Sequence, residues 1–279
     1  MITQISSEEY RHTDEACNSD LQLIEIGPSE YQFAKKAPVD MSKTSALDYG
    51  SALHLALLEP DTFNDKIDIY TDTKTRETVK FHKYMDEKTD DKLVLLEAEY
   101  DKLRLTVEGS KYHPQFNYYI ENATHKESSV FTEYRGVKCK IRPDLMRLDG
   151  NNCVFLGDVK TTHDIEDWRN KAEWRNPLFT HNYGFTAAFY MDVLSAELGV
   201  QVDEYKFLVV NKSIDCGRYP VSVFTIHRDE LERYGFFERV YLAIDAYKEC
   251  MRTGNWMSEE LFPLFRGDDM IISVEDEGE

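Results

Sequence analysis

Asp144, Asp158 and Lys160 are the residues whose types and spacing suit chemistry. They share one run, residues 138–162, KCKIRPDLMRLDGNNCVFLGDVKTT. Asp158 and Lys160 stand two apart, so on a strand both project from one face. Close carboxylates repel and raise each other's pKa unless a cation sits between them. Hard oxygen donors suit Mg²⁺ or Mn²⁺, and Mg²⁺ commonly takes one or two carboxylates plus phosphate oxygens of a substrate. A lysine beside them orients or deprotonates an attacking water, or neutralises charge on a phosphorane-like transition state. The chemistry suggested is metal-assisted hydrolysis of a phosphodiester.

A β-hairpin is the element that would position this trio. Val137, Cys139, Ile141 and Pro143 alternate with Lys138, Lys140, Arg142 and Asp144, which predicts a half-buried strand. Asp149-Gly150-Asn151-Asn152 is a cluster of turn formers. The chain then returns through residues 153–160. If the two strands pair, Asp144 comes back beside Asp158, with the register left open.

A helix over residues 45–58 is the second element. Ser45 is its expected cap, with Asp48 in the capping-box position. Leu47, Ala52, Leu53, Ala56 and Leu57 make an apolar stripe, and Pro60 stops it. His54 stands beside the stripe. From the residues alone, a core histidine bonded to a backbone group is the simpler reading. Glu59 is more simply a surface residue at the helix end.

The spacing elsewhere predicts a helical lead-in over residues 1–40, with one helix at 18–26 capped by Asn18 or Ser19 and a short one through Lys36. Residues 61–91 lack periodicity and read as a charged loop; Lys74, Arg76, Lys80 and Lys83 are candidates to meet a phosphate backbone, although for each one singly a solvated loop residue is the simpler reading. An amphipathic helix is expected over 93–107, strands over 116–120 and 128–134, and a helix over 183–198. Two strands, 204–211 and 219–227, and one long helix over 229–253 complete the chain. Glu127 is a candidate to hold a second metal or a water, although a strand-end surface acid is as simple. The fold class expected is α/β, a mixed sheet flanked by helices. One domain covers 1–272, and 273–279 reads as an acidic disordered tail.

The chain has 279 residues, long enough for one large domain. Its five cysteines are scattered without a CxxC pair, which argues against a disulfide framework, a zinc site or an iron–sulphur site. No apolar run reaches membrane length, and no basic, apolar leader opens the chain, so a cytoplasmic protein is expected. The formal net charge of −19 argues against nucleic acid unless Lys and Arg are gathered along a channel.

Arg142-Pro143-Asp144, followed by Gly157-Asp158-Val159-Lys160-Thr161-Thr162, resembles the signature of the PD-(D/E)XK nuclease superfamily. The wording is most similar to the RecE branch, exodeoxyribonuclease VIII and its phage relatives. Gly50-Ser51-Ala52-Leu53-His54-Leu55-Ala56-Leu57-Leu58-Glu59-Pro60 resembles that family's upstream helix with its metal-side histidine. Glu127-Ser128-Ser129-Val130-Phe131 resembles the strand before the core hairpin, and Tyr219-Pro220-Val221 a late strand. A lone PD…DxK would be weak; the four matches in order are not.

The resemblance implies a restriction-endonuclease-like core. It implies a metal, Mg²⁺ or Mn²⁺, held by His54, Asp144, Asp158 and the backbone carbonyl of Val159, with Lys160 positioning or activating the water. Arg142, Thr161 and Tyr190 become candidate DNA contacts. Relatives carry glutamine one turn before the helix tyrosine, where this chain has Thr186. The activity implied is exonucleolytic, on linear double-stranded DNA, 5′-to-3′, leaving 3′ overhangs for recombination. The partners implied are double-stranded DNA ends, a single-strand annealing protein, and copies of the same chain in a ring, a tetramer, with no membrane. The alternatives are an endonuclease of the same superfamily and a non-catalytic protein that binds DNA ends.

Overall fold

The computed structural model describes residues 1–37, 44–214, 217 and 219–257, and in the helix opening at Thr44 the side chains from Tyr49 onward. The cap expected at Ser45 and Asp48, the tail at 273–279 and residues 258–272 therefore lie outside the described residues. In chain order the elements begin β1 (Ile2–Thr3), α1 (Ser7–His12), α2 (Asn18–Ile26), α3 (Pro28–Lys36) and α4 (Thr44–Leu58). Neither Asn18 nor Ser19 caps α2. The Asp20 carboxylate accepts the Cys17 N–H at 3.2 Å instead, reaching back from the first turn as a helix N-terminus favours.

The stretch expected as loop holds a turn of 3₁₀ helix (Pro60–Thr62), α5 (Phe63–Lys66), β2 (Ile67–Tyr70) and α6 (Val79–Glu87). β3 (Leu93–Leu96) pairs in parallel with β2. The apolar start of the expected 93–107 helix is thus a strand. The helix proper, α7 (Glu97–Ser110), begins where Glu99 accepts the Leu96 N–H at 2.9 Å. Four apolar residues cannot announce which state they take when their partner strand is remote in sequence. Arg76 is bonded to Glu99, Lys80 to Asp72, and Lys83 approaches Glu87, so three of the four cations that were candidates to meet phosphate have acidic partners. Residues 116–120, expected as strand, lie in α8 (Pro114–Asn122). Pro114 takes the first helical position rather than breaking a pattern, and the His113 ring accepts the Phe116 N–H at 3.1 Å.

Then come β4 (His125–Lys126), β5 (Ser129–Tyr134), β6 (Val137–Ile141), β7 (Leu145–Asp149) and β8 (Asn152–Thr162). A 3₁₀ turn (Ile165–Arg169), α9 (Pro177–Thr180), α10 (Tyr183–Leu198), β9 (Glu204–Asn211) and β10 (Val221–His227) follow. The last helix is two: α11 (Arg228–Arg233) and α12 (Phe236–Thr253), broken where Gly235 takes φ +73°.

The central sheet runs β10-β9-β8-β7-β4, antiparallel except for the parallel β8–β9 pair. A three-stranded sheet, β1-β5-β6, lies apart from it. The strand leading into the site is therefore divided. Residues 137–141 pair with β5, and only Leu145–Asp149 forms the hairpin with β8. Pro143 has no N–H to give to a ladder, so residues 142–144 carry the chain from one sheet to the other. The hairpin closes through Gly150 at φ +59°.

Two apolar layers grip this sheet. α10 is buried almost all round and packs with Leu156, Tyr205, Phe207 and Val209 on one side. α4, α7 and α8 pack with Phe155, Val159, Leu208 and Val210 on the other. β9 is buried on both faces, as its unbroken apolar run and parallel neighbour require.

Candidate metal centre

Pleating decides where each side chain goes. On β8, Asp158 and Lys160 share the face of Leu156, toward α10, while Val159 points toward α4. Leu145 pairs with Gly157, so Asp144 falls beside Asp158 at the hairpin's open end. The Asp144 carboxylate accepts the Val159 N–H at 2.6 Å, and Asp158 accepts the Asp144 N–H at 3.2 Å. Each acid thus braces the segment that carries the other. His54 reaches in from α4; its Nε2 donates to the Val159 carbonyl at 3.1 Å.

That bond turns His54 Nδ1 toward two carboxylates, Asp144 at 3.4 Å and Glu127 at 3.6 Å. One ligand atom from each of His54, Glu127 and Asp144 lies within 4.8 Å of the others. Glu127 sits at φ +48°, in the left-handed region that side chains seldom adopt. Its N–H donates to the Asp144 carbonyl at 3.0 Å. Backbone strain held beside a cluster of acids is characteristic of functional sites. One imidazole and two carboxylates suit a divalent cation with oxygen preference, and the Nε2–H bond to Val159 is the outer contact that orients a histidine ligand. The donor set therefore fits Mg²⁺ or Mn²⁺.

Not every expected site residue meets at this point. Asp158 turns its other oxygen to Lys160, whose Nζ lies at 2.8 Å. The Val159 carbonyl, expected to face the metal, is engaged by His54. Arg142 is occupied too, by Glu127 at 3.0 Å and the Ile5 carbonyl at 3.1 Å. Thr161 lines an open cleft of about 980 Å³ that also takes in His54, Glu127, Arg142 and α1. Tyr190 is half-buried on α10 behind Asp158; burial and the Asp158 charge hold its phenol well above the usual range. Thr186 accepts bonds from Asn18 at 3.1 Å and Gln22 at 3.2 Å. Cations are not segregated in the cleft: Lys66, Lys92 and Arg142 stand among Glu59, Asp65, Asp91 and Glu127.

Three residues of the site went unread in the sequence. The Tyr183 ring lies 5.4 Å from the Lys160 ammonium. Tyr205 is fully buried on β9, its hydroxyl turned toward Asp158, and burial together with that carboxylate holds its phenol well above the usual range. Lys140 is buried and donates to the Tyr10 and Thr13 carbonyls at 2.8 and 2.7 Å, pinning α1 over the cleft. The alternation of 137–144 sets Lys140 on the polar face, so its burial between buried neighbours is seen only in the structure.

Electrostatics follow from the crowding. Burial works against a charge on His54, but Asp144, with Glu127, outweighs it and raises the pKa to about 10. Burial pushes Asp144 up, the His54 charge opposes this, and Asp158 adds to it. For Lys160 burial opposes the charge, yet Asp158 and Asp144 hold the ammonium above its ordinary value. A histidine with a raised folded pKa stabilises the metal-free fold fully below about 6.5 and loses that contribution as pH rises through about 10. A divalent ion at Nδ1 must displace this proton. Mn²⁺ affinity is therefore expected to climb between pH 6.5 and 10, with close to one proton released per ion at neutral pH. Calorimetry in buffers of different ionisation enthalpy checks this, and His54→Gln should abolish the release.

A mixed sheet clasped by helices, with Asp144, Asp158 and Lys160 on its central hairpin, is the fold of the PD-(D/E)XK nucleases. Residues 19–259 match the family described as PDDEXK-like domain of unknown function (DUF3799), and the chain belongs to that family. Among solved structures it is similar to a crystal structure from Eubacterium rectale named "Putative exonuclease". The TM-score is 0.59 and the identity 14%, over 95% of this chain and 99% of that one. That likeness is one of fold. No curated protein matches the chain. Among the described residues no helix is long and apolar enough to cross a membrane.

Proposed function

We propose that this protein is a metal-dependent exodeoxyribonuclease that hydrolyses linear double-stranded DNA from its ends. The supporting observation is the convergence of His54, Glu127 and Asp144 on one point beside Lys160, at the wall of an open cleft. A divalent ion there supplies charge to polarise the phosphodiester and to lower the pKa of a bound water. Asp144 and Glu127 hold it, and His54 completes the set with its lone pair fixed by the Val159 carbonyl. Asp158 keeps Lys160 in place and charged. An ammonium so held donates hydrogen bonds to a phosphate oxygen or a water and neutralises growing negative charge; its raised pKa does not favour a role as base. Tyr183 covers its outer side.

The sequence resemblance to RecE-type enzymes supports the finer reading: 5′-to-3′ polarity, 3′ overhangs for recombination, a single-strand annealing partner and a ring-shaped homo-oligomer. Digestion of one plasmid in linear and closed-circular form, with Mg²⁺ and with Lys160→Ala as control, tests it. The linear form should disappear and the circle persist, with the variant inert. Cutting of the circle makes the protein an endonuclease. Indifference to both forms, with retained binding to ends, makes it a non-catalytic end-binding protein.

A further inference from the structure

A chain of net charge −19 that handles DNA needs places where cations are not already neutralised. Most are: Arg142 by Glu127, Lys206 by Glu204, Arg175 by Asp164 and Asp167. Lys102 and Lys212 differ. Lys102, on α7, lies over two rings, 5.0 Å from the Tyr49 centroid and 5.2 Å from that of Tyr219. Such stacking holds an ammonium in place without cancelling its charge. Its pKa is lowered, first by burial and next by the Lys212 charge, with Glu99 opposing. Glu99 itself is bonded to Arg76. Among the described residues neither lysine has a carboxylate within ion-pair distance. Two neighbouring cations without an acid between them are unfavourable in the free protein, and an anion relieves that.

Their position relates them to the metal centre. Tyr49 is on α4, the helix that carries His54. The Lys212 N–H donates to the Thr162 carbonyl at 2.7 Å, at the end of β8. Thr162 is three residues past Val159, about 10 Å along the strand. That matches roughly three base steps of duplex at 3.4 Å each.

We infer that Lys102 and Lys212 form a subsite for the phosphate backbone of duplex DNA, roughly three base steps from the bond that is cut. The inference rests on the nuclease reading and gives the substrate a path on an acidic surface. Lysine meets phosphate as a point charge, so the subsite contributes affinity without sequence preference.

The test is anisotropy of a labelled duplex with Lys160→Ala protein in Mg²⁺, over a range of salt. In that background Lys102→Met with Lys212→Met keeps both aliphatic stems and removes both charges. The slope of log affinity against log salt should become shallower by about 2, equally for duplexes of different sequence. Lys102→Arg with Lys212→Arg should keep the parental slope. So should Lys36→Met with Lys248→Met, which removes two charges from α3 and α12 on the far layer. An unchanged slope in the first pair, or an equal loss in the α3/α12 pair, overturns the subsite. If the unmutated enzyme cuts linear DNA and the first pair binds like its parent, only the subsite falls. A parent that neither binds nor cuts removes the nuclease reading with it.

Discussion

Asp144→Asn is expected to lower Mg²⁺-dependent cleavage of linear duplex DNA by roughly a thousandfold, about 4 kcal/mol of transition-state stabilisation. Asp144 touches more of the site than any neighbour. It faces His54 Nδ1, accepts the Val159 N–H and donates its own N–H to Asp158. An amide of the same shape still accepts from Val159, so the hairpin should persist and the far-ultraviolet circular dichroism should match the parent. What disappears is the charge that offsets both a metal ion and the His54 proton. The His54 pKa, raised to about 10 chiefly against burial by this carboxylate, should fall by more than one unit in an NMR titration of the metal-free variant. Cleavage within tenfold of the parent would remove Asp144 from the metal centre. Loss of cleavage with an unmoved His54 pKa would mean that the carboxylate does not govern the histidine.

Gly157→Ala is expected to cost about 3 kcal/mol or more of stability, although it adds one methyl group. A Cβ at this position would stand 2.2 Å from the Lys206 carbonyl oxygen and 2.9 Å from the Lys206 Cβ. Backbone cannot yield as a side-chain tip can, so β8 and β9 must separate where Gly157 faces Lys206. Asp158 and Lys160 follow on the same strand, and activity should fall with stability. A shift of the urea midpoint at constant slope reads the effect. Gly150→Ala is the comparison: it too is in the hairpin, but nothing lies within 4 Å of its Cβ and only its φ of +59° resists. If the two variants prove equally stable, close strand approach is not what fixes Gly157.

Much of the hairpin is legible in the chain itself. Turn residues 149–152, the apolar return strand and the two-residue spacing of Asp158 and Lys160 are local features, set by pleat and turn chemistry. The helices over 18–26 and 183–198 and the strand over 204–211 also follow their own periodicity, and the structure places them with those bounds. The misread segments share a cause. β2 and β3 are four residues each and exist only by pairing with one another across an intervening helix. α8 opens on a proline that reads as a breaker until its carbonyl ladder is seen. The strand before Asp144 looked continuous because alternation says nothing about which sheet a strand joins.

The sequence by itself determined which residue types were available for chemistry and which of them share a strand face. It also carried the signature that marks the family, because those features depend on neighbours within a few positions. The tertiary structure alone decided which side chains meet. His54 comes from a helix some 90 residues upstream, Glu127 from a strained turn between two sheets, and Lys102 with Lys212 from segments 110 residues apart in the chain. Their encounters are fixed by sheet register and by which apolar faces α4, α7 and α10 bury. Neither is encoded in local spacing: the same alternation fits several registers, and only the packed core selects one.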